Sequence, residues 1–307
     1  MEYILTTNSL TKEYGKLKAC NAVNMHLRQG EIYGFIGKNG SGKTTFMKMI
    51  SGMSHPTSGE ITLFGCTGAE LQRQRVFSRI GTLIEAPGLY GGMSARDNLK
   101  LKCLACGIGS IPKYCDELLE LVGLSNAAAK HVGGFSLGMR QRLGIAMSLV
   151  GEPDLLVLDE PTNGLDPQGI ADMRSILQNL REEKGMTILI SSHILEELSK
   201  IATCYGIINE GRLLMELTHD ELMERCRDKI CITTDATDRA SVVLEEMGIR
   251  SYQVMDSRTI HVFERHEDVC DINRRLVLAD IPVAGIVLAN TSVEDFYFSV
   301  TGGGVRA

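Results

Sequence analysis

The sequence predicts an α/β fold with a mainly parallel sheet, followed by a smaller α+β unit. Three observations carry that expectation. The short apolar run Glu31 to Gly37 ends in glycine and enters a helical stretch, the pattern of a strand, a loop and a helix. The continuous apolar run Leu155 to Leu158 has the character of a strand buried on both faces, as strands of parallel sheets are. Beyond Arg212 the elements follow one another in a different order. The expected limits are 1–215 for the first part and 216–307 for the second. A chain of 307 residues is long enough for about two domains.

In the first part, the strand ending at Gly37 is followed by a helix over Thr44 to Ile50, punctuated by Gly52 and Pro56. Leu99 to Ala105 also reads as helix. Asp166-Pro167 opens a helix with proline in its first turn. Ile170, Met173, Leu177 and Leu180 share one face of it, and Gly185 stops it. Thr187 to Ser191 is strand-like and Ile194 to Ala202 helical. Strands that alternate with helices lie parallel to one another.

The second part begins with Thr218 and Glu221, spaced as a capping box. From Ile230 a strand is expected, then a helix (Asp238 to Met247) and two strands (Tyr252 to Met255, Thr259 to Phe263). A helix (Glu267 to Ala279) and a strand (Val283 to Leu288) follow. The order βαββαβ is that of a ferredoxin-like unit. A short helix over Ser292 to Val300 closes the series, and Gly302, Gly303 and Gly304 are expected to fray.

Composition narrows the function. With 44% hydrophobic and 23% charged residues the chain is an ordinary globular protein, and a net charge of −6 argues against nucleic acid as a partner. Its most apolar stretches, such as Leu143 to Val150, fall well short of the ~20 residues that a membrane-spanning helix needs. The start of the chain lacks the basic and apolar segments of a secretory leader, so a cytosolic protein is expected. Nine scattered cysteines do not form a disulfide framework. The lone Cys103-x-x-Cys106 pair is read as ordinary thiols, since no second pair stands near it.

Two motifs carry chemistry. Residues 37–45 fit G-x-x-x-x-G-K-T: Gly37, Lys38, Asn39, Gly40, Ser41, Gly42, Lys43, Thr44 and Thr45. Its glycines let backbone N–H groups wrap phosphate oxygens, and the helix that follows turns its positive dipole end to the same phosphates. Lys43 reaches the β- and γ-phosphates, and the Thr44 hydroxyl can ligate Mg²⁺. The second motif is Asp159-Glu160, closing the strand Leu155 to Leu158. Successive side chains point to opposite sides of a strand, so the two acids are free to differ in role. Asp159 suits the Mg²⁺ shell, and Glu160 suits a general base acting on the attacking water.

Further residues give the chain a resemblance to ABC-type ATPases over about residues 1 to 215. Phe135-Ser136-Leu137-Gly138-Met139 resembles that family's signature sequence, usually L-S-G-G-Q. Ser136 and Gly138 match, while Leu137 and Met139 stand in place of a glycine and the glutamine. Asn163-Gly164-Leu165-Asp166 resembles the D-loop, His193 the switch histidine and Tyr14 the aromatic residue that stacks on adenine. The resemblance implies a P-loop NTPase core with a helical signature subdomain (about 70 to 145), binding ATP and Mg²⁺. It also implies a head-to-tail dimer of two copies, or one copy with a second ATPase subunit. In such a dimer Ser136 and Gly138 face the nucleotide held by the opposite Lys43, Thr44, Asp159, Glu160 and His193.

The expected partner is a multi-pass membrane permease on the cytoplasmic face of the cell membrane, contacted by the helical subdomain. One departure stands out: Glu85 occupies the place of the family's usual glutamine beside the metal and the attacking water. That substitution, with the C-terminal extension, is similar to the bacitracin- and lantibiotic-export branch. The motor motifs leave importers open. A translation factor would resemble two cassettes, and a chromosome ATPase would insert a long coiled coil between Lys43 and Asp159. The sequence has neither.

Overall fold

The computed structural model of the chain describes residues 2–109, 111–289 and 292–302. Met1, Gly303 and Gly304, which carry part of the expectations about the two ends, lie outside these. The chain divides into two compact units, Met1–His219 and Asp220–Ala307. The first runs past the expected limit of 215 because its last strand ends only at Thr218.

The first unit begins with strands β1 (Tyr3–Tyr14), β2 (Leu17–Val23), β3 (His26–Arg28) and β4 (Ile32–Ile36), then helix α1 (Lys43–Ile50). Strands β5 (Ser58–Leu63) and β6 (Cys66–Thr67), the short α2 (Glu70–Arg73) and β7 (Ile80–Leu83) follow. Next come three helices, α3 (Ala95–Ala105), α4 (Ile111–Leu121) and α5 (Leu137–Ser148), where the helical subdomain is expected. The unit closes with β8 (Leu155–Leu158), α6 (Pro167–Lys184), β9 (Thr187–Ser192), α7 (Leu195–Leu198), β10 (Cys204–Asn209) and β11 (Arg212–Thr218).

Six of these strands form one sheet in the order β11-β10-β4-β9-β8-β7. Every neighbouring pair in it is parallel except β10 with β11. The mainly parallel sheet is therefore as the sequence leads one to expect, and β4 and β8 are buried along their whole length. The other five strands form a second, antiparallel sheet, which the sequence reading does not anticipate. Its long strand β1 breaks the two-residue alternation by which strands are recognised. The backbone turns left-handed at Ser9 (φ 49°), and the register against β5 shifts between Asn8 and Thr11.

At eight residues α1 is too short to hold its own shape in water. Phe46, Met47, Met49 and Ile50 anchor it, all buried in a core shared with Leu5, Leu10 and Leu63 of the antiparallel sheet and Phe35, Leu155 and Leu189 of the parallel one. Each such side chain contributes about 1.5–3 kcal/mol on burial, so packing fixes where the helix begins. Phe35 and Phe46 meet with ring centroids 5.1 Å apart, tying β4 to the helix that follows it. The helix expected over Ile194 to Ala202 is only the four residues of α7. The chain leaves it to enter β10, and just before that strand the Thr203 N–H donates to the Ile32 carbonyl.

The second unit contains α8 (His219–Arg225) except its first residue, then β12 (Lys229–Thr234), α9 (Thr237–Glu246), β13 (Tyr252–Val254), β14 (Thr259–Val262), α10 (Val269–Leu278), β15 (Val283–Ala289) and α11 (Val293–Val300). Strand order β13-β14-β12-β15, antiparallel throughout, is the split-βαβ arrangement of a ferredoxin-like unit. Ile230, Ile232, Leu244, Ile260, Val262, Ile272 and Leu276 form its separate core. Helix α11 starts with a capping box between Ser292 and Asp295.

Candidate nucleotide site

Four adjacent parallel strands, β4, β9, β8 and β7, end at the same edge of the sheet. Open α/β sheets bind ligands outside the carboxyl ends of their strands. The residues that follow these four ends are the phosphate loop after β4, His193 after β9, Asp159 and Glu160 after β8, and Glu85 after β7. Topology alone thus gathers motifs that the sequence scatters over more than half the chain.

The phosphate loop is shaped by what its glycines must avoid. A Cβ on Gly37 would lie 2.4 Å from the Ser41 hydroxyl and 2.5 Å from the Ile208 carbonyl oxygen. Gly42 caps α1 at φ 107°, and a Cβ there would meet the Ala19 carbonyl oxygen. Lys43 is 4% exposed, and its ammonium donates to the Gly37 carbonyl (2.7 Å) and the Lys38 carbonyl (3.2 Å). The buried Ser41 hydroxyl finds no hydrogen-bond partner, leaving a polar atom inside the cradle for a phosphate oxygen to satisfy. Asn39 and Gly40 lie exposed at the crest of the loop, and Thr45 is half-buried on α1. Gly37→Ala is expected to weaken ATP binding about tenfold, since crowding of this kind costs about 1–3 kcal/mol. Titration with a fluorescent ATP analogue measures it, and unchanged affinity would show that the loop gives way without cost.

The carboxylates take different neighbours. Asp159, 8% exposed, accepts from the Thr44 hydroxyl at 2.5 Å and from the Ser191 hydroxyl at 2.6 Å. Glu160 sits in the left-handed region (φ 47°), a strained conformation for a residue with a side chain. Its two oxygens are 3.0 Å from the Lys43 ammonium and 3.0 Å from Nδ1 of His193. Lys43, Glu160 and His193 therefore form one chain of contacts across three strand ends. Ser191 is a residue that sequence reasoning passed over. It is fully buried, and its hydroxyl accepts from the Glu160 backbone N–H (2.9 Å) while donating to Asp159. The available signal was the pair Ser191-Ser192 following the apolar run Ile188 to Ile190. Ser191→Ala would take a donor from the Asp159 carboxylate and the acceptor from the Glu160 backbone N–H. It is expected to lower stability by about 1–3 kcal/mol, read from the denaturant midpoint.

The Glu85 carboxylate pairs with Lys48 of α1 at 2.6 Å. Hydrogen bonding to Glu85 holds the Lys48 ammonium above the usual lysine range, and both Tyr14 and Asp159 lie within its electrostatic reach. Tyr14 itself is 52% exposed at the end of β1, with the Lys12 ammonium 5.2 Å from its ring centroid. Two hard oxygen donors, Thr44 and Asp159, converge as a Mg²⁺ site requires. Among the described residues no group of three or more His, Cys, Asp or Glu side chains gathers to hold a metal. Mg²⁺ suits such a sparse set, because it keeps water and substrate phosphates as its other ligands.

Ser136, Gly138 and Asp166 stand outside this bonded cluster. The Ser136 hydroxyl caps α5 by accepting from the Met139 N–H (3.2 Å), and Asp166 caps α6 by accepting from the Gly169 N–H (3.0 Å). A Cβ on Gly138 would touch Leu165, so the signature turn packs beside the segment 163–166. Cys103 faces Cys115, with sulfurs 4.0 Å apart, whereas Cys106 is exposed; the C-x-x-C spacing makes no pair.

A glycine-rich loop at a helix start, a buried lysine within it and two acids just past the end of a nearby parallel strand define a phosphate-loop nucleoside triphosphatase. The ABC transporter family matches residues 20–163. The chain is 41% identical over 305 residues to the bacitracin transport ATP-binding protein BcrA of Bacillus licheniformis, covering 99% of both. It is 46% identical over 217 residues to the lantibiotic transport ATP-binding protein SrtF of Streptococcus pyogenes, covering 71% of this chain and 92% of the relative. Among solved structures, cbiO1 of Clostridium perfringens, part of the ABC transporter complex cbiONQ, superposes with a TM-score of 0.67 at 25% identity. That match covers 81% of this chain and 97% of cbiO1. The chain belongs to the ATP-binding subunits of ABC transporters, which bind and hydrolyse ATP.

Proposed function

We propose that this subunit powers an exporter that removes a peptide antibiotic of the bacitracin or lantibiotic type. The likeness over the full length of the chain to a bacitracin transport ATP-binding protein is the observation that carries the reading. No helix among the described residues is long and apolar enough to cross a membrane. The membrane path is therefore assigned to a multi-pass permease, with this subunit on the cytoplasmic face.

Within the site, Lys43 releases Glu160 and takes the β- and γ-phosphates of ATP in its place. The freed Glu160 carboxylate orients and deprotonates the attacking water. His193 turns from Glu160 to the γ-phosphate. Tyr14 lies against the adenine. Thr44 and Asp159, with Glu85 nearby, hold Mg²⁺, which when bound offsets charge on the phosphates. Ser136 and Gly138, at the start of α5, approach the nucleotide of a second copy, with Asp166 in the segment beside them. Closure of the two copies around ATP moves the permease between access states.

The test uses tagged Glu160→Gln protein, loaded with ATP in its own host and purified from crosslinked, detergent-solubilised cells. Recovery of a polytopic membrane protein that lacks an ATPase of its own, with bacitracin or lantibiotic sensitivity on deletion of the subunit, is the expected result. Recovery of ribosomes without a membrane protein would overturn it.

A further inference from the structure

Glutamate at position 85 brings a negative charge to a place already crowded with them. Leu83 of β7 lies in register with Leu158 of β8, and the Asp159 N–H donates to the Leu83 carbonyl (2.8 Å). Glu85 therefore stands two residues past the end of β7, beside the neighbouring strand end that leads into Asp159 and Glu160. Two carboxylates and a polyphosphate repel a third carboxylate unless a cation lies between them.

Helix geometry supplies that cation. Thr44 and Lys48 are four residues apart on α1 and share one face. Cα–Cβ bonds tilt toward a helix N-terminus, so the Lys48 stem leans back over the turn that holds Thr44. Its ammonium ends 2.6 Å from Glu85 Oε1, on the side of the helix where Thr44 meets Asp159. Glu85 takes a left-handed backbone (φ 64°), and the pair keeps that turned residue against α1.

We propose that Lys48 is the positioning residue of this ATPase. It holds the Glu85 carboxylate at the metal side of the site and cancels the charge that glutamate adds there. This rests on the assignment of Thr44, Asp159 and Glu85 to the Mg-ATP site. Lys48 is half-buried and Glu85 largely exposed, so the pair contributes little to folding. Its effect falls on the affinity for Mg-ATP, because without Lys48 the Glu85 charge opposes the phosphates directly.

A double-mutant cycle decides the matter, with KM for Mg-ATP and kcat measured for wild type, Lys48→Met, Glu85→Gln and the double variant. Lys48→Met is expected to raise KM about fivefold with a smaller change in kcat, and Glu85→Gln in that background to bring KM back to within about twofold of wild type. Lys48→Arg, which keeps the charge, should behave as wild type. If Glu85→Gln leaves the Lys48→Met defect unrelieved, Lys48 acts by another route and the proposal fails. Should Lys48→Met not fold, the exchange Lys48→Glu with Glu85→Lys asks the same question: KM recovers relative to Lys48→Glu alone only if the two residues act as a pair. Wild type and Glu160→Gln run beside them. At a protein concentration high enough for copies to pair, absence of wild-type turnover would count against the ATPase assignment itself, whereas normal wild-type turnover with no coupling counts against Lys48 alone.

Discussion

Glu160→Gln is expected to bind ATP as wild type does and to hydrolyse it about 10²–10⁴ times more slowly, the range over which a positioned general base acts. The substitution keeps the size of the side chain and an oxygen for the Lys43 ammonium, now 3.0 Å from the carboxylate. What it removes is the ability to accept a proton from water. The strained backbone at Glu160 fixes where that group points, so its chemistry and not its position is changed. ATP-bound dimers should accumulate, visible as a shift in size-exclusion chromatography when ATP is added. Wild-type turnover would take the base role away from Glu160 and move the search to another group at the strand ends.

Lys43→Ala is expected to fail one step earlier. The ammonium is buried and held by two loop carbonyls and Glu160. Its removal takes the only fixed positive side chain proposed to touch the β- and γ-phosphates. Bonds to charged groups are worth about 1.5–3 kcal/mol, so affinity for ATP should fall roughly 10- to 150-fold. The alanine also leaves the Gly37 and Lys38 carbonyls without that donor and frees Glu160 before any substrate arrives. Equilibrium binding of a labelled ATP separates the two variants: Glu160→Gln keeps the affinity and Lys43→Ala loses it. Unchanged affinity in Lys43→Ala would dismiss the phosphate-loop assignment.

Where one kind of local pattern governed a segment, the sequence was readable. The phosphate loop is spelled out because glycine is required wherever a Cβ would strike Ser41 or Ala19, and few other residues satisfy that condition. The tail followed its βαββαβ order almost element by element, since β12 alternates cleanly between buried and half-buried residues. The antiparallel sheet stayed hidden because a bulge near Ser9 shifts the phase of β1 midway, and a period that changes phase cancels in any window. The residues of the candidate site could be named from the sequence, but the bonds among them could not. Nothing in the spacing of Lys43, Glu160 and His193 says that the three touch, because contact depends on side-chain rotamers and on which strands are neighbours. Ser191 and Lys48 were missed for the same reason. Each matters for the group it meets across the sheet edge, and a linear motif records no such meeting.

The cap on α5 bears on how activity must scale. The Ser136 hydroxyl spends its bond on its own helix turn, and neither it nor Gly138 joins the cluster around Lys43. On the reading given above, a complete hydrolytic centre needs pieces of two polypeptides. Where pairing is rare, the rate then follows the square of the amount of protein, and specific activity falls on dilution. An immobilised or very dilute subunit would look inactive while every residue in it is sound. Tethering copies at a permease lifts that restriction by raising their effective concentration, so the membrane partner acts on turnover without touching ATP.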